Sequence, residues 1–186
     1  APDLASYDPN FGTAALATPS PDVDFQTSLY RKGWWDSAHV LWDDFAEDGR
    51  LEPRVESEYM PDQKASGGAE RGETGALAIR ATVPARGKVT LPVMIAWHFP
   101  YVKAWSDGVP LRTYASAQFQ DAWHAARHAA LHLPSLTEAS RLWHETVFGG
   151  SLPPHVLDAV TSQASIIRTP TCLRLADGQF YGWEGC

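Results

Sequence analysis

One carboxylate near the end of the chain stands in a setting that suits chemistry on a carbohydrate. Glu184 lies in the sequence Phe-Tyr-Gly-Trp-Glu-Gly. Trp183 comes directly before it, and this pair is flanked by Gly182 and Gly185. Glycines allow another molecule to approach closely, and the aromatic neighbours could desolvate the carboxylate and stack on a sugar face. The residues alone also permit a simpler interpretation, in which Glu184 is a solvated surface charge.

Three histidines follow one another at four-residue spacing, which places them on one face of a predicted helix. They are His124, His128 and His132, and imidazoles are common ligands of zinc. Three successive turns spread these side chains over about 12 Å, at roughly 1.5 Å per residue, whereas zinc needs convergent ligands. The stripe is therefore interpreted as a solvated surface, and no metal site is predicted. His144-Glu145 lacks the second histidine of the zinc-protease motif HExxH.

Tryptophan is unusually frequent, with eight among 186 residues, so its positions deserve an explanation beyond average packing. The string AWHFP, which contains Trp97, lies at the end of the strongest predicted strand. Its residues are compatible with two roles, contact with a ligand or an ordinary core with a polar rim. Trp97, Trp123 and Trp143 fall on faces that we expect to be buried. Cys172 has no visible histidine partner and is interpreted as a small buried side chain. Phosphate-binding glycine motifs are absent from the sequence, so no nucleotide cofactor is predicted.

The composition indicates a folded chain that does not bind nucleic acid. With 44% hydrophobic residues, 186 residues can build a core, and a net charge of −7 with scattered basic residues gives nucleic acid no footprint. No apolar run reaches the roughly 18 residues of a transmembrane helix, and the first residues lack the features of a signal peptide. A cytoplasmic location is therefore favoured over export. Because the chain begins with Ala1 and ends in YGWEGC, we expect a piece of a longer protein.

Alternating apolar residues predict two strands in the middle of the chain. One covers residues 77–83 and the other residues 89–99, and the turn signal over residues 84–88 predicts an antiparallel hairpin. Pro92 cannot donate to a ladder, which places its half of the second strand at an edge or a bulge. Two strands alone are marginal in water, so the hairpin must belong to a larger sheet.

A helical period dominates most of the remaining chain. The predicted helices are residues 34–45 with a stop at Asp48-Gly49, residues 114–133 ended by Pro134, a helix opened by a capping box of Ser135 and Glu138 and closed by Gly149-Gly150, and a helix begun by Pro153-Pro154. An extended segment over residues 169–181 follows, with a turn at Asp177-Gly178. Strands before helices predict an α+β chain.

Seven segments form a recognisable series along the chain. They are PNFGTAALAT, WWDSAHVLWDDFAEDGRL, TGALAIRATV, VMIAWHFP, YASAQFQDAWHAA, SLPPHVLDAV and TCLRLADGQFYGWEG. In this order they resemble the bacterial branch of glycoside hydrolase family 116, which includes non-lysosomal glucosylceramidases and bacterial β-glucosidases. AWHFP and the closing DGQFYGWEG carry most of the resemblance, which spans nearly the whole chain.

The resemblance implies the fold and the domain organisation. In that family, an antiparallel β-sandwich domain precedes an (α/α)6 barrel that holds the active site. By this resemblance, residues 1–110 are part of the N-terminal β-sandwich domain, residues 111–170 are a helical connection, and residues 171–186 begin the catalytic barrel, most of which is absent from this chain.

The resemblance also implies an activity. Family members are retaining β-glycosidases, which use a carboxylate nucleophile and a carboxylic acid about 5 Å apart. It assigns the nucleophile to Glu184 and substrate binding to Trp183, with a glutamate beyond residue 186 as the alternative nucleophile. The implied substrate is a β-glucoside or a glucosylceramide-like molecule, the implied partner is the rest of the catalytic domain, and no metal or cofactor is required.

Two further expectations accompany this assignment. No residue of the sequence matches the acid/base aspartate of the family, so the 186-residue chain alone is expected to be inactive. The alternative function belongs to another class, a non-catalytic, Trp-rich β-sandwich module that binds carbohydrate or supports a partner domain.

Overall fold

The chain divides into two compact units in the computed structural model, which describes residues 7–27, 38–52, 75–103, 110–168 and 171–182. One unit comprises residues 16–93, and the other comprises residues 1–15 together with residues 94–186. Within the described ranges, the strands form small two-stranded sheets and no closed barrel. The mixed α+β class predicted from the sequence is confirmed.

The described strands and helices follow one another in a strand-rich first part and a helical second part. The strands are β1 (Thr13–Ala17), β2 (Val23–Gln26), β3 (Ala76–Ile79), β4 (Met94–His98), β5 (Tyr101–Lys103), β6 (Pro110–Arg112), β7 (Cys172–Arg174) and β8 (Phe180–Gly182). The helices are α1 (Ala38–Asp48), α2 (Tyr114–Gln118), α3 (Ala122–Leu131), α4 (Leu133–Phe148) and α5 (Pro154–Ser162). A short 3₁₀ helix, Gln163–Arg168, continues from α5.

A polar network joins the elements of the unit formed by residues 16–93. β2 and β3 pair antiparallel, with Gln26 opposite Ala76. Gln26 is buried, and its Nε2 donates to Asp44 Oδ2 of α1 and to the carbonyl oxygen of Glu52, both at 3.0 Å. The backbone N–H of Glu52 donates to the same Asp44 oxygen at 3.1 Å. The network satisfies a buried amide and attaches α1 to the strand.

Arg80 ties together the other ends of β2 and β3. Its guanidinium donates hydrogen bonds to the carboxylates of Asp22 and Asp24. The hydrogen bonds from Arg80, supported by its charge, hold the pKa of Asp24 below its usual value of 3.8. They also raise the pKa of Arg80. A carboxyl group whose pKa is lowered by folding stabilises the folded state at neutral pH, and this contribution is lost in acid.

The end of α1 agrees with the sequence prediction. Gly49 follows the helix with φ of 76°, and its N–H donates to the carbonyl oxygen of Phe45 at 2.8 Å. Glycine adopts this left-handed conformation without a Cβ clash, so Asp48-Gly49 is an effective stop. Residues 34–37 of the predicted helix lie outside the described residues.

The unit that contains β4 is built on a close contact between that strand and α3. β1 and β4 form a two-stranded sheet, and α3 packs against β4. Ala122 and Ala126, one turn apart on α3, are almost completely buried, at 0% and 1% exposure. Thr13 Oγ1 of β1 accepts a hydrogen bond from the N–H of Ala122 at 2.9 Å. Asp121 Oδ1 accepts from the N–H of His124 at 2.7 Å. Two side-chain oxygens, one from Thr13 and one from Asp121, therefore accept hydrogen bonds from the free N–H groups in the first turn of α3.

The buried face of β4 is opposite to the one that the sequence predicts. Ala96 is half-buried and His98 is buried, whereas Ile95 is 71% exposed. Both faces of this strand carry apolar residues, so alternation alone could not identify the covered one, and the small side chains of α3 and β4 permit the closer approach. The burial predicted for three tryptophans is therefore wrong: Trp97 is 69% exposed, Trp123 62% and Trp143 54%.

The predicted hairpin of residues 77–83 and 89–99 is also wrong. β3 pairs with β2, and β4 pairs with β1. Each of the two strands therefore pairs with a strand that is far from it in the sequence. Between them, Pro84 accepts from the N–H of Gly87 at 2.8 Å in a tight turn, and Arg86 has a positive φ of 58°. Pro84 and Pro92 cannot donate to a ladder, so each weakens a pairing of these two segments with each other.

The predicted helix over residues 114–133 is divided into α2 and α3. The break lies before Asp121, whose side chain caps α3. Pro134 does not end a helix. It lies in the first turn of α4, where a missing N–H is tolerated, and α4 begins directly after His132. The predicted capping box is wrong, because Ser135 lies inside α4 and its hydroxyl donates to the carbonyl oxygen of His132 at 2.9 Å.

The remaining helix boundaries are confirmed. α4 ends at Gly149, and α5 begins at Pro154 with Pro153 as its N-cap residue. Glu138, the other member of the predicted capping box, instead pairs with Arg141 on the exposed surface of α4.

Substitution of Ala126 tests the close contact between α3 and β4. Because Ala126 is only 1% exposed, Ala126→Leu would insert extra carbon atoms into a buried position and should destabilise the folded state by about 1–3 kcal/mol. Ala139→Leu, at an exposed position of α4, is the matched control and should change stability little. Urea denaturation of both variants measures the difference, and equal stabilities would contradict the packing described above.

Substitution of Arg80 tests the ion pairs at the end of β2. Arg80→Gln should lower the midpoint of thermal unfolding at about pH 7, where Asp24 is charged. The loss should shrink as the pH falls below about 4, because the wild-type protein then loses the same contribution through protonation of Asp24. Arg141→Gln removes exposed ion pairs on α4 and should have the smaller effect at neutral pH. A loss in Arg80→Gln that is independent of pH would contradict this role.

Candidate functional site

The best-defined part of the candidate site is the β7–β8 hairpin, from which the chain continues to Trp183 and Glu184. β7 and β8 pair antiparallel, with Cys172 opposite Gly182 and Arg174 opposite Phe180. Trp183 and Glu184 themselves lie outside the described residues. Their assigned roles in substrate binding and nucleophilic attack therefore stay predictions.

The turn of this hairpin agrees with the sequence prediction. Gly178 has φ of 88°, and its N–H donates to the carbonyl oxygen of Leu175 at 2.9 Å. Asp177 Oδ1 accepts from the N–H of Gln179 at 2.9 Å. The Asp-Gly pair thus supplies both a side-chain acceptor and the positive φ that the turn requires.

The hairpin is attached to the junction of β6 and α2 by three kinds of contact. An isolated antiparallel bridge joins Thr113 to Leu175, and the N–H of Ala176 donates to the carbonyl oxygen of Arg112 at 2.9 Å. The guanidinium carbon of Arg174 lies 3.8 Å from the centre of the Tyr114 ring, a cation–π contact. These contacts attach the hairpin through the end of β7 and the start of its turn.

Thr113 connects this hairpin to the string AWHFP. Its N–H donates to the carbonyl oxygen of Pro100 at 2.9 Å, and its Oγ1 donates to that of Phe99 at 3.3 Å. As the N-cap residue of α2, Thr113 also accepts from the N–H of Ser116 through its side chain. The two segments that are most specific in the sequence, AWHFP and the closing hairpin, therefore share one attachment point.

The residues that make this attachment were not predicted from the sequence. Arg112 donates to Ser116 Oγ at 3.1 Å and to the carbonyl oxygen of Ser116 at 2.8 Å, which stiffens the start of α2. A threonine directly before a helical period is a recognised N-cap signal, so Thr113 could have been identified. The Arg174–Tyr114 contact joins residues 60 positions apart, and no local pattern indicates it.

His98 and Trp97 of the AWHFP string have opposite environments. His98 is 7% exposed, and its Nε2 has no hydrogen-bond partner among the described residues. Trp97 extends from the other face of β4 and is 69% exposed. His98 thus fits the interpretation of the string as ordinary core, and Trp97, on the surface, fits the interpretation as a residue that could contact a ligand.

The histidine stripe forms a row of aromatic contacts. The Phe119 ring lies 5.6 Å from that of His124 and 5.5 Å from that of His128, and His128 and His132 are 4.4 Å apart, all between ring centroids. In the described part of the chain, no group of three or more His, Cys, Asp or Glu side chains is arranged to hold a metal ion. Cys172 is half-buried in β7.

Comparison with known proteins identifies the family. The family model described as "beta-glucosidase 2, glycosyl-hydrolase family 116 N-term" matches residues 3–136. No curated protein matches the chain. None of the helices within the described ranges is long and apolar enough to cross a membrane. Because the match covers well over half of its 186 residues, the chain belongs to glycoside hydrolase family 116 and carries that family's N-terminal domain.

Proposed function

We propose that this chain is part of a retaining β-glycosidase that hydrolyses β-glucosides, among them molecules of the glucosylceramide type. Membership of the family supports two general statements: the chain is related to glycoside hydrolases, and the substrate is a sugar-type molecule. The observation that carries the finer proposal is the match of residues 3–136 to a domain described for a β-glucosidase. The closing DGQFYGWEG string supports it, because it supplies a carboxylate among aromatic residues.

The proposed reaction proceeds in two displacements. A carboxylate oxygen of Glu184 attacks the anomeric carbon while the bond from that carbon to the leaving oxygen breaks, and a carboxylic acid gives its proton to the leaving oxygen. Water then attacks the same carbon, the acid residue now accepts a proton, and the Glu184 carboxylate is released. Two inversions retain the β configuration, and the reaction needs no metal or organic cofactor.

The described residues support this role through position. β8 ends at Gly182, two residues before Glu184, and the hairpin is attached at Thr113 and through the Arg174–Tyr114 contact. A nucleophile needs a fixed distance to the anomeric carbon, so attachment of the hairpin through Arg174 and Leu175 at the end of β7 is a useful property. In this proposal Trp183 contributes a stacking surface for the sugar ring.

The domain organisation belongs to the same proposal. Residues 1–110 would contribute to the β-sandwich domain, residues 111–170 would form the helical connection, and residues 171–186 would begin the catalytic barrel. The order of described elements, mostly strands before Arg112 and mostly helices between Tyr114 and Arg168, is compatible with these boundaries. The acid/base residue has no counterpart in this sequence, so we propose that the 186-residue chain alone has no turnover.

A second candidate function is carbohydrate binding without cleavage, and the exposure of Trp97 favours it. An aromatic ring that is 69% exposed on a strand presents a face on which a sugar could stack. This function would place the chain beside a catalytic domain as a binding or supporting module.

Substitution of Glu184 in the whole enzyme tests the proposed nucleophile. Glu184→Gln should lower kcat for a p-nitrophenyl β-glucoside by roughly a thousandfold or more, because the carboxylate that forms the covalent intermediate is removed. Mass spectrometry after treatment with a 2-fluoro glucoside should find the label on Glu184 in the wild-type enzyme and none in the variant. Glu145→Gln, on exposed α4, is the control and should keep both activity and label. A label on another residue would overturn the assignment.

Substitution of Trp97 tests the binding function. If the exposed ring binds sugar, calorimetric titration of the chain with gluco-oligosaccharides should give saturable heat, and Trp97→Ala should reduce the affinity about tenfold. Trp143→Ala removes a similarly exposed ring from α4 and should leave the heat unchanged. Absence of heat in the wild-type chain would exclude this second function and would leave the glycosidase proposal standing.

A further inference from the structure

Two histidines at the end of α3 already lie at the separation that a shared metal ion requires. His128 and His132 are four residues apart, both are exposed, and their ring centroids are 4.4 Å apart with an angle of 44° between the rings. Side chains at this spacing lie one above the other on the same side of a helix. Rotation of the side chains alone could therefore direct one nitrogen of each ring toward a common point.

The distance agrees with two imidazoles bound at a right angle. Imidazole nitrogens bind such metals at about 2.0–2.1 Å, so the two ring centroids are roughly 4.5 Å apart at the right angle of a square-planar ion and roughly 5 Å apart at the tetrahedral angle of zinc. The Phe119 ring lies against His128, at 5.5 Å and 61°, and limits its motion. Support of this kind lowers the entropy that a ligand side chain loses on binding.

His132 lies where two helices meet. It is the C-cap residue of α3, with its N–H donating to the carbonyl oxygen of His128 at 3.0 Å, and it is also the N-cap residue of α4. The opposite partial charges of the two helix ends offset each other, so the two imidazoles must supply the attraction for a metal ion. His124 is less suitable as a ligand, because its Nδ1 already accepts a hydrogen bond from the N–H of Gln120 at 3.3 Å.

We propose that His128 and His132 form a surface site for one divalent transition-metal ion of the kind that prefers imidazole, namely Cu²⁺, Ni²⁺ or Zn²⁺. Two protein ligands leave the other coordination positions to water. Mg²⁺ and Ca²⁺ prefer oxygen ligands and would not bind. The site is independent of the proposed glycosidase reaction, which uses no metal.

Calorimetric titration of tag-free protein with each ion tests the site. We expect one ion per chain, with Cu²⁺ bound more tightly than Ni²⁺ or Zn²⁺ and no heat from Mg²⁺. His132→Gln and His128→Gln should each weaken binding roughly tenfold or more, because one of two ligands is lost. The helical circular dichroism signal of these exposed variants should be unchanged.

Two further variants locate the site. His144→Gln removes an exposed histidine of α4 that has no second histidine four residues away, and it should leave binding unchanged. His124→Gln should have a smaller effect than His132→Gln. The proposal is overturned by absence of Ni²⁺ and Cu²⁺ binding to the wild-type protein, by unchanged affinity in His132→Gln, or by an equal loss in His144→Gln.

Discussion

The close contact between α3 and β4 is the constraint on which the unit containing both elements depends. It requires small residues, and Ala122 and Ala126 supply them at the spacing of one helical turn. Once this face of β4 is covered, the alternation of the strand places His98 in the interior and Trp97 on the surface. The same contact brings the first turn of α3 to Thr13 of β1, which accepts one of its free N–H groups.

Thr113 extends this arrangement toward the candidate site. It holds the chain after β4 through Phe99 and Pro100, begins α2 as an N-cap residue, and forms a bridge to Leu175 before the turn of the last hairpin. One small polar residue thus joins the segment AWHFP to the last hairpin. Threonine suits this position for a physical reason. Backbone N–H and carbonyl groups at the end of a strand or helix need hydrogen-bond partners, and a threonine hydroxyl can both donate and accept.

Local signals in the sequence predicted the elements better than their partners. Gly49, Gly149, Pro154 and the Asp177-Gly178 turn mark boundaries through conformations that they favour locally, and the structure confirms all four. The strand pairs and the covered face of β4 depend on distant residues, and here the predictions were wrong. β3 and β4 instead pair with β2 and β1, and the covered face of β4 carries Met94, Ala96 and His98, while Ile95 and Trp97 are exposed. Near the candidate site, the turn of the last hairpin was predicted from its Asp-Gly pair, whereas the Arg174–Tyr114 contact that holds the hairpin spans 60 residues and has no local signal.

Membership of glycoside hydrolase family 116 unites these features in one account. The unit formed by residues 1–15 and 94–186 provides the attachment for the hairpin that precedes Glu184 in the chain, and the proposed chemistry places that carboxylate on the anomeric carbon of a β-glucoside. The stereochemistry of hydrolysis tests this account most directly. When the whole enzyme cleaves a β-glucoside, proton NMR in the first minutes should detect β-glucose before mutarotation produces the α anomer. If α-glucose is formed first, two displacements through a carboxylate nucleophile are contradicted.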